Sequence, residues 1–345
     1  MKTVDFDFEL PDEAIARYPP RDRDASRLLT LDRSSGRRAH RRFCDLPDLL
    51  VPGDLLVVNR SRVIPARLLG QRQGGGAAEL LLVRRLTPNE WLAMVRPGRR
   101  LRAGSRVELG ADFSATVLTP STEGPSALRR VALEARSGSV DEAINRYGRT
   151  PLPPYIDRAD EPEDRVRYQT VYAQEPGSVA APTAGLHFTS DLIAVLGRRG
   201  IGMVEIVLHV GPGTFRPVEV ENVSDHVVDP ERYEVPEEAA RGIAEARKDG
   251  RRIVAVGTTV VRTLESAPAP DGNPAAGAGE TRLVVVPGHS FRIVDALITN
   301  FHLPRSSLLL LVSAFAGREA TLEAYEEAVR EGYRFYSYGD AMLVT

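Results

Sequence analysis

The chain has 345 residues, 42% hydrophobic and 27% charged, with a net charge of −2, the profile of a globular protein of roughly two domains at about 150 residues each. Cys44 is the only cysteine, which excludes an internal disulfide, a thiolate zinc knuckle and a cysteine-held cluster. No apolar run reaches the about 18 residues needed to span a membrane, and Met1-Lys-Thr-Val-Asp-Phe-Asp-Phe is acidic where a secretory leader is basic and then apolar, so a cytoplasmic protein is expected.

Near the start, Arg17 to Arg42 holds nine arginines against three aspartates, and the turn-rich Arg96–Arg106 holds five arginines and no acid, whereas Glu219–Glu238 holds eight acids. Such segregation suits a phosphate-backbone footprint, with a merely solvated face as the alternative. Leu28–Leu31 and Leu55–Val58 read as strands. After the Gly74–Gly76 turn, short strand-like runs recur at Glu79–Arg85, Glu90–Val95, Arg106–Leu109, Ser114–Leu118 and Ala127–Glu134, the pattern of a small antiparallel barrel. Val140–Tyr147 has helical spacing, and the stiff Thr150-Pro-Leu-Pro-Pro-Tyr155 ends the section.

Helix and strand patterns then alternate. A helix capped by Thr189 or Ser190 precedes a strand at Met203–Val210, and a helix from Pro236 precedes a strand at Arg252–Val256. Val260–Ser266 reads as a helix and Ala267–Glu280 as a mobile surface loop; strands at Leu283–Val286 and Phe291–Leu297 and helices at Ser306–Phe315 and Leu322–Glu331 complete the pattern. The expected fold is α/β: a mixed or largely parallel sheet with flanking helices, formed by 1–59 and 152–345, carrying an inserted small antiparallel β-barrel at 60–151.

Three histidines stand where apolar residues meet turn formers: His187 in Pro-Thr-Ala-Gly-Leu-His-Phe-Thr, His209 in Leu-His-Val-Gly-Pro-Gly-Thr-Phe, and His302 in Thr-Asn-Phe-His-Leu-Pro. A buried ring beside a sharp turn suits an active-site wall; for each one, a core histidine with both nitrogens bonded is the alternative. In Ile253-Val-Ala-Val-Gly-Thr-Thr-Val-Val-Arg262 a strand turns into a helix, so the turn's free backbone N–H groups, with Thr258 and Thr259 as extra donors and Arg262 a turn later, suit a carboxylate or phosphate, an ordinary capped turn being the alternative. Asn300 and His302 alternate in an extended segment and should face the same way. No close histidine pair suggests a metal site, and no phosphate-binding glycine loop is present.

These segments resemble the S-adenosylmethionine:tRNA ribosyltransferase-isomerase family of queuosine biosynthesis. The likeness lies in Asn59-Arg-Ser-Arg-Val-Ile-Pro-Ala-Arg-Leu68, Gly148-Arg-Thr-Pro-Leu-Pro-Pro-Tyr-Ile156, Tyr168-Gln-Thr-Val-Tyr-Ala173, Gly177–Thr189, Leu208–Pro217, Val256–Ser266, Ile298–Pro304 and Tyr333–Met342. It departs at Thr281-Arg-Leu-Val-Val-Val286, where Arg282 stands in place of the family's usual Asp. The resemblance implies ribosyl transfer from S-adenosylmethionine, a co-substrate and not a resident cofactor, to 7-aminomethyl-7-deazaguanine at the tRNA wobble position. Epoxyqueuosine-tRNA, adenine and methionine are the implied products, and a monomer is expected.

Such chemistry needs a base at C5′ and an acid near the leaving adenine, expected from two of His187, His209 and His302. Thr258, Thr259, Arg262 and Asn300 are the expected S-adenosylmethionine contacts, and Arg62, Arg67, Arg38 and Arg41 the expected tRNA contacts. A non-catalytic RNA-binding accessory protein is one competing reading, but 60–135 offers only Trp91 and Phe113 as stacking platforms. The other, a histidine-dependent hydrolase or isomerase of a small molecule, lacks a Gly-x-Ser-x-Gly elbow.

Overall fold

In the computed structural model, residues 1–120, 128–215, 217–269 and 271–345 are described. Ala127, at the start of one expected barrel strand, Arg216 in the Leu208–Pro217 motif and Pro270 in the expected loop lie outside them. Strands β1 (Arg27–Leu31) and β2 (Arg38–Arg42) form a hairpin, the short helix α1 (Leu46–Leu49) follows, and β3 (Leu55–Asn59) enters the centre of a sheet with every residue buried. From there the chain leaves the sheet through β4 (Ser61–Val63). It then builds β5 (Arg67–Arg72), β6 (Ala77–Arg85), β7 (Glu90–Arg96), β8 (Arg106–Glu108), β9 (Phe113–Pro120) and β10 (Leu128–Ala135).

The last six close into an antiparallel barrel in the order β10-β7-β6-β5-β8-β9. Alternation makes closure work: Ala78, Leu80 and Leu82 of β6 point inward, and with Trp91, Phe113 and Val131 they fill the barrel. Helix α2 (Val140–Tyr147) packs Val140, Ala143 and Ile144 onto that core. A reciprocal cap starts it, with Glu142 N–H donating to Ser139 Oγ (3.2 Å) and Ser139 N–H to Glu142 Oε2 (2.8 Å).

The remainder comprises α3 (Asp164–Arg167), β11 (Glu175–Ser178), α4 (Ser190–Arg198), β12 (Gly202–Leu208), β13 (Glu231–Val235), α5 (Glu237–Lys248), β14 (Ile253–Val256) and α6 (Thr258–Ser266). It ends with β15 (Gly277–Thr281), β16 (Ala296–Asn300), α7 (Ser307–Ala316), α8 (Arg318–Arg330) and β17 (Ala341–Val344). Among the described residues the main sheet has nine strands, ordered β15-β13-β12-β3-β14-β16-β17-β1-β2. Its centre, β12-β3-β14-β16, is parallel, and antiparallel pairs flank it. Leu55 and Val57 of β3 face a core shared with α5, α6, α7 and α8, whereas Leu56 and Val58 face one shared with α1 and α4. Two-sided burial is why these strands read as unbroken apolar runs. No helix among the described residues is long and apolar enough to cross a membrane.

Three expectations differ from this. Within the Ala267–Glu280 segment expected to be a mobile loop, Gly277–Thr281 is an edge strand pairing antiparallel with β13. Its glycines do not read as a strand, yet Gly279 is needed for close packing, since a Cβ there would lie 2.7 Å from the Tyr233 ring. Leu283–Val286, expected as a strand, has no regular structure. The strand expected from Phe291 begins only at Ala296, because the Glu265 carboxylate accepts the N–H groups of Arg292, Ile293 and Val294 at 3.0–3.2 Å and turns them away from a ladder.

Candidate active site

Parallel strands place their C-terminal ends on one side, which in open α/β sheets is where ligands bind. Asn59 closes β3, His209 follows β12, Gly257 and Thr258 follow β14, and Asn300 closes β16 with His302 two residues on. Asn59 ties these ends together: its Nδ2 donates to Leu208 O (2.9 Å) and reaches Thr259 Oγ1 (3.4 Å), while its Oδ1 accepts Ser61 N–H and Leu208 N–H, both at 3.0 Å.

Between these ends and the barrel lies a cavity of about 1200 Å³. Barrel residues Trp91, Leu92 and Met94 line one side, and His209, the Gly211–Thr214 turn, Glu231 and Arg262 the other. It exceeds the roughly 300–1,000 Å³ of ordinary small-molecule pockets, leaving room for two reactants. A smaller cavity is lined by Thr258, Thr259, Thr299, Asn300 and His302. Thr214 and Leu308 line both, so the two spaces adjoin.

The three histidines occupy different positions around this arrangement. His209 lines the larger cavity, and its Nδ1 is buried without a hydrogen-bond partner among the described residues. Partial burial lowers its pKa below the ordinary histidine value. Gly177 makes room for the ring: at φ +146°, a Cβ there would stand 2.7 Å from His209 Cε1. His302 lines the smaller cavity, its Nε2 lies 2.9 Å from Thr299 Oγ1, and burial pushes its pKa down to about 3.

His187 is not among the residues lining either cavity. The Asn300 amide explains its state. Asn300 Nδ2 faces the carbonyls of Tyr336 (3.1 Å) and Asp340 (3.4 Å), which fixes it as the donor end, so at 3.1 Å it donates to His187 Nε2. The ring proton therefore sits on Nδ1, 2.7 Å from Ser26 Oγ. Burial, reinforced by Arg334 and Arg23, pushes the His187 pKa down to about 3. With both nitrogens committed, His187 takes the alternative open to each histidine, a bonded core ring, and it orients Asn300 so that the buried Asn300 Oδ1, in the smaller cavity's wall, has no partner among the described residues.

Helix α6 starts after Gly257, whose φ of +93° favours glycine, and its first N–H groups, at Thr258 and Thr259, have no intrahelical acceptor. Arg262, one turn on, lines the larger cavity and not the smaller one. Its Nη1 forms an ion pair with Glu231, its Nε donates to Leu283 O (3.0 Å), and its Nη2 is buried without a partner among the described residues.

The arginines expected to hold RNA are scattered. Arg62 is exposed on the larger cavity's rim, as is Arg282. Arg67 lies on β5 and pairs with Glu79 (3.1 Å). Arg38 and Arg41 lie on β2, at the far end of the sheet, seven strand spacings from β13 or roughly 30 Å. Arg38 is neutralised there by Glu323 (3.0 Å) and Glu327 (2.8 Å), and Arg41 donates to His40 O.

The profile of the family described as "Queuosine biosynthesis protein" matches residues 3–344. The chain belongs to this family. A Carboxydothermus hydrogenoformans protein named S-adenosylmethionine:tRNA ribosyltransferase-isomerase is 52% identical over all of both chains, and one of the same name from Moorella thermoacetica is 53% identical, again over all of both. The crystal structure of an S-adenosylmethionine tRNA ribosyltransferase from Thermotoga maritima matches 99% of this chain and 100% of that one, at 39% identity and a TM-score of 0.56. The family resemblance carried by the sequence motifs is thus upheld along the whole length.

Glu231, Asn59 and Ser26 were not singled out in the sequence. Glu231 sits in an acidic run that reads as solvated surface, yet it is 5% exposed; its neighbours Val-Val-Asp-Pro before it and Arg-Tyr-Glu-Val after it carry a strand signal that marks it as a strand start.

Proposed function

We propose that the protein is an S-adenosylmethionine:tRNA ribosyltransferase-isomerase, moving the ribosyl part of S-adenosylmethionine onto 7-aminomethyl-7-deazaguanine at the tRNA wobble position, with adenine and methionine released. The observation that carries this reading is the convergence of three parallel strand ends, those of β12, β14 and β16, on two adjoining cavities, one with room for a splayed-out base beside a second substrate.

His209 and His302 are assigned the proton transfers. Both rings are held neutral near pH 7 by burial and each lines a cavity; His209, the less strongly shifted, is the stronger base of the two, and His302, held more firmly neutral, acts through its ring N–H. The sulfonium acidifies the adjacent C5′–H, which a neutral imidazole removes; an imidazolium formed in this way can protonate the departing adenine. The aminomethyl nitrogen then attacks the sugar, and an epoxide closes as methionine leaves. Asn300 Oδ1, Thr258 and Thr259 bind S-adenosylmethionine, and His187 holds Asn300 in place. The Arg262 Nη2 takes the carboxylate of the methionine part.

tRNA phosphates are assigned to Arg62, Arg282 and the exposed barrel turn bearing Arg96, Arg99 and Arg100, none of which forms an ion pair among the described residues. β7 runs from Trp91 at the cavity to Arg96 at that turn, about 17 Å at ~3.4 Å per residue, so a strand entering the cavity can reach it within a few nucleotides. Arg67, held by Glu79, is a weaker contact.

The test is the fate of isotope. With S-adenosylmethionine labelled in its ribose carbons, label should enter the tRNA, and with methyl label none should. Methyl label in the RNA, or no label from either, contradicts the proposal.

A further inference from the structure

Glu231 opens β13 and is almost wholly buried on the larger cavity's wall. Its Oε1 accepts the Gly211 N–H and the Thr214 hydroxyl, both at 2.9 Å, and its Oε2 takes Arg262 Nη1. One carboxylate therefore joins three segments: the turn after His209, the strand β13 and the helix α6. Both of its oxygens are occupied, which leaves it no free position from which to move a proton.

The guanidinium is planar, and two of its nitrogens are already fixed, Nε by Leu283 O and Nη1 by Glu231. Planarity then fixes Nη2 as well. That nitrogen is buried and has no partner among the described residues, on a side chain only 7% exposed that lines the cavity. An orphaned buried N–H of a cation calls for an anionic acceptor.

We infer that Glu231 is a positioning residue, which aims Arg262 Nη2 at the carboxylate of the amino-acid half of S-adenosylmethionine and thereby selects that substrate over its decarboxylated analogue. This rests on the function proposed above. Substituting Glu231→Gln keeps an acceptor for Gly211 and Thr214 but turns an uncharged amide toward Arg262.

The experiment is calorimetric titration of the full-length protein with S-adenosylmethionine and, separately, with decarboxylated S-adenosylmethionine, each in the presence of an unreactive tRNA. Wild type should prefer the carboxylated ligand roughly 10- to 100-fold, the worth of one charge-assisted hydrogen bond. In Glu231→Gln the preference should fall to about threefold or less while affinity for the decarboxylated analogue stays within about threefold of wild type. Arg262→Gln should give the same pattern, and it serves if Glu231→Gln fails to fold. Equal weakening of both ligands, as from a merely structural role, or an intact preference in either variant, overturns the inference alone. A wild-type protein that binds neither ligand overturns the functional reading with it.

Discussion

Replacing His187 by glutamine should flatten the acid side of the stability curve. In the folded protein burial pushes this ring's pKa to about 3, against about 6.5 in an unfolded chain. The unfolded chain therefore takes up the proton first as pH falls. The contribution of the neutral ring is complete above pH ~6.5 and is lost progressively between ~6.5 and ~3. By pH 5 a single group shifted in this way costs about 2 kcal/mol relative to pH 8, since about 1.5 pH units at about 1.4 kcal/mol each have been crossed. His302, shifted the same way, contributes a similar amount and remains in the variant. Urea unfolding at pH 8 and pH 5, followed by circular dichroism, measures both proteins. The glutamine side chain keeps an amide beside Asn300 and Ser26 without a titrating group, so the variant's pH 8-to-5 loss should be smaller than wild type's by about 2 kcal/mol. Carboxylates common to both proteins cancel in the comparison. Equal losses would refute the placement of a buried, neutral His187 ring behind Asn300.

Three other outcomes are expected. His209→Ala and His302→Ala should each slow adenine release by about 100-fold or more in single-turnover assays while the fold, read by circular dichroism, is retained. Gly177→Ala should displace the His209 ring, because a Cβ at that position meets it at 2.7 Å; kcat should fall at least about tenfold, beside a drop of a few degrees (~3 °C) in melting temperature from the φ that disfavours alanine, and a wild-type kcat would show that the ring's position is unimportant. Arg62→Ala and Arg282→Ala should each weaken tRNA binding and lower the slope of log affinity against log salt by about 1, whereas Arg38→Ala, already neutralised by two glutamates, should leave the slope unchanged.

What could be read from the sequence, and what could not, has a common cause. Period-2 and period-3.6 patterns report which face of an element is buried, so β6 to β10 of the barrel, Val140–Tyr147 and the apolar strands β1, β3, β12 and β14 are legible from the pattern of residues, whereas β5 and β17 are not read as strands. β15 is not, because Gly277, Gly279 and their neighbours pair through backbone and need no apolar side chain. The late start of β16 is equally hidden, since it depends on Glu265, about thirty residues earlier in the chain, reaching three backbone N–H groups. At the site, turn-forming neighbours single out Asn300, His302, Thr258 and Thr259, all four of which line the smaller cavity. They do not separate His187 from the other histidines: its difference lies in contacts with Ser26 and Asn300, 161 and 113 residues away. Charge clustering misleads in both directions. Arg38 sits in the most basic stretch yet is neutralised by α8, and Glu231 sits in the most acidic one yet is buried against Arg262.

The central claim is that the joined cavities at the strand ends strip adenine from S-adenosylmethionine next to an anticodon base. Its most direct test is to quantify free adenine and methionine after mixing the protein with S-adenosylmethionine and tRNA carrying 7-aminomethyl-7-deazaguanine. The account predicts both products in equal amounts, matched to the tRNA modified and absent when the tRNA has guanine at that position. S-adenosylhomocysteine in place of adenine, or no product from well-folded protein, would contradict it.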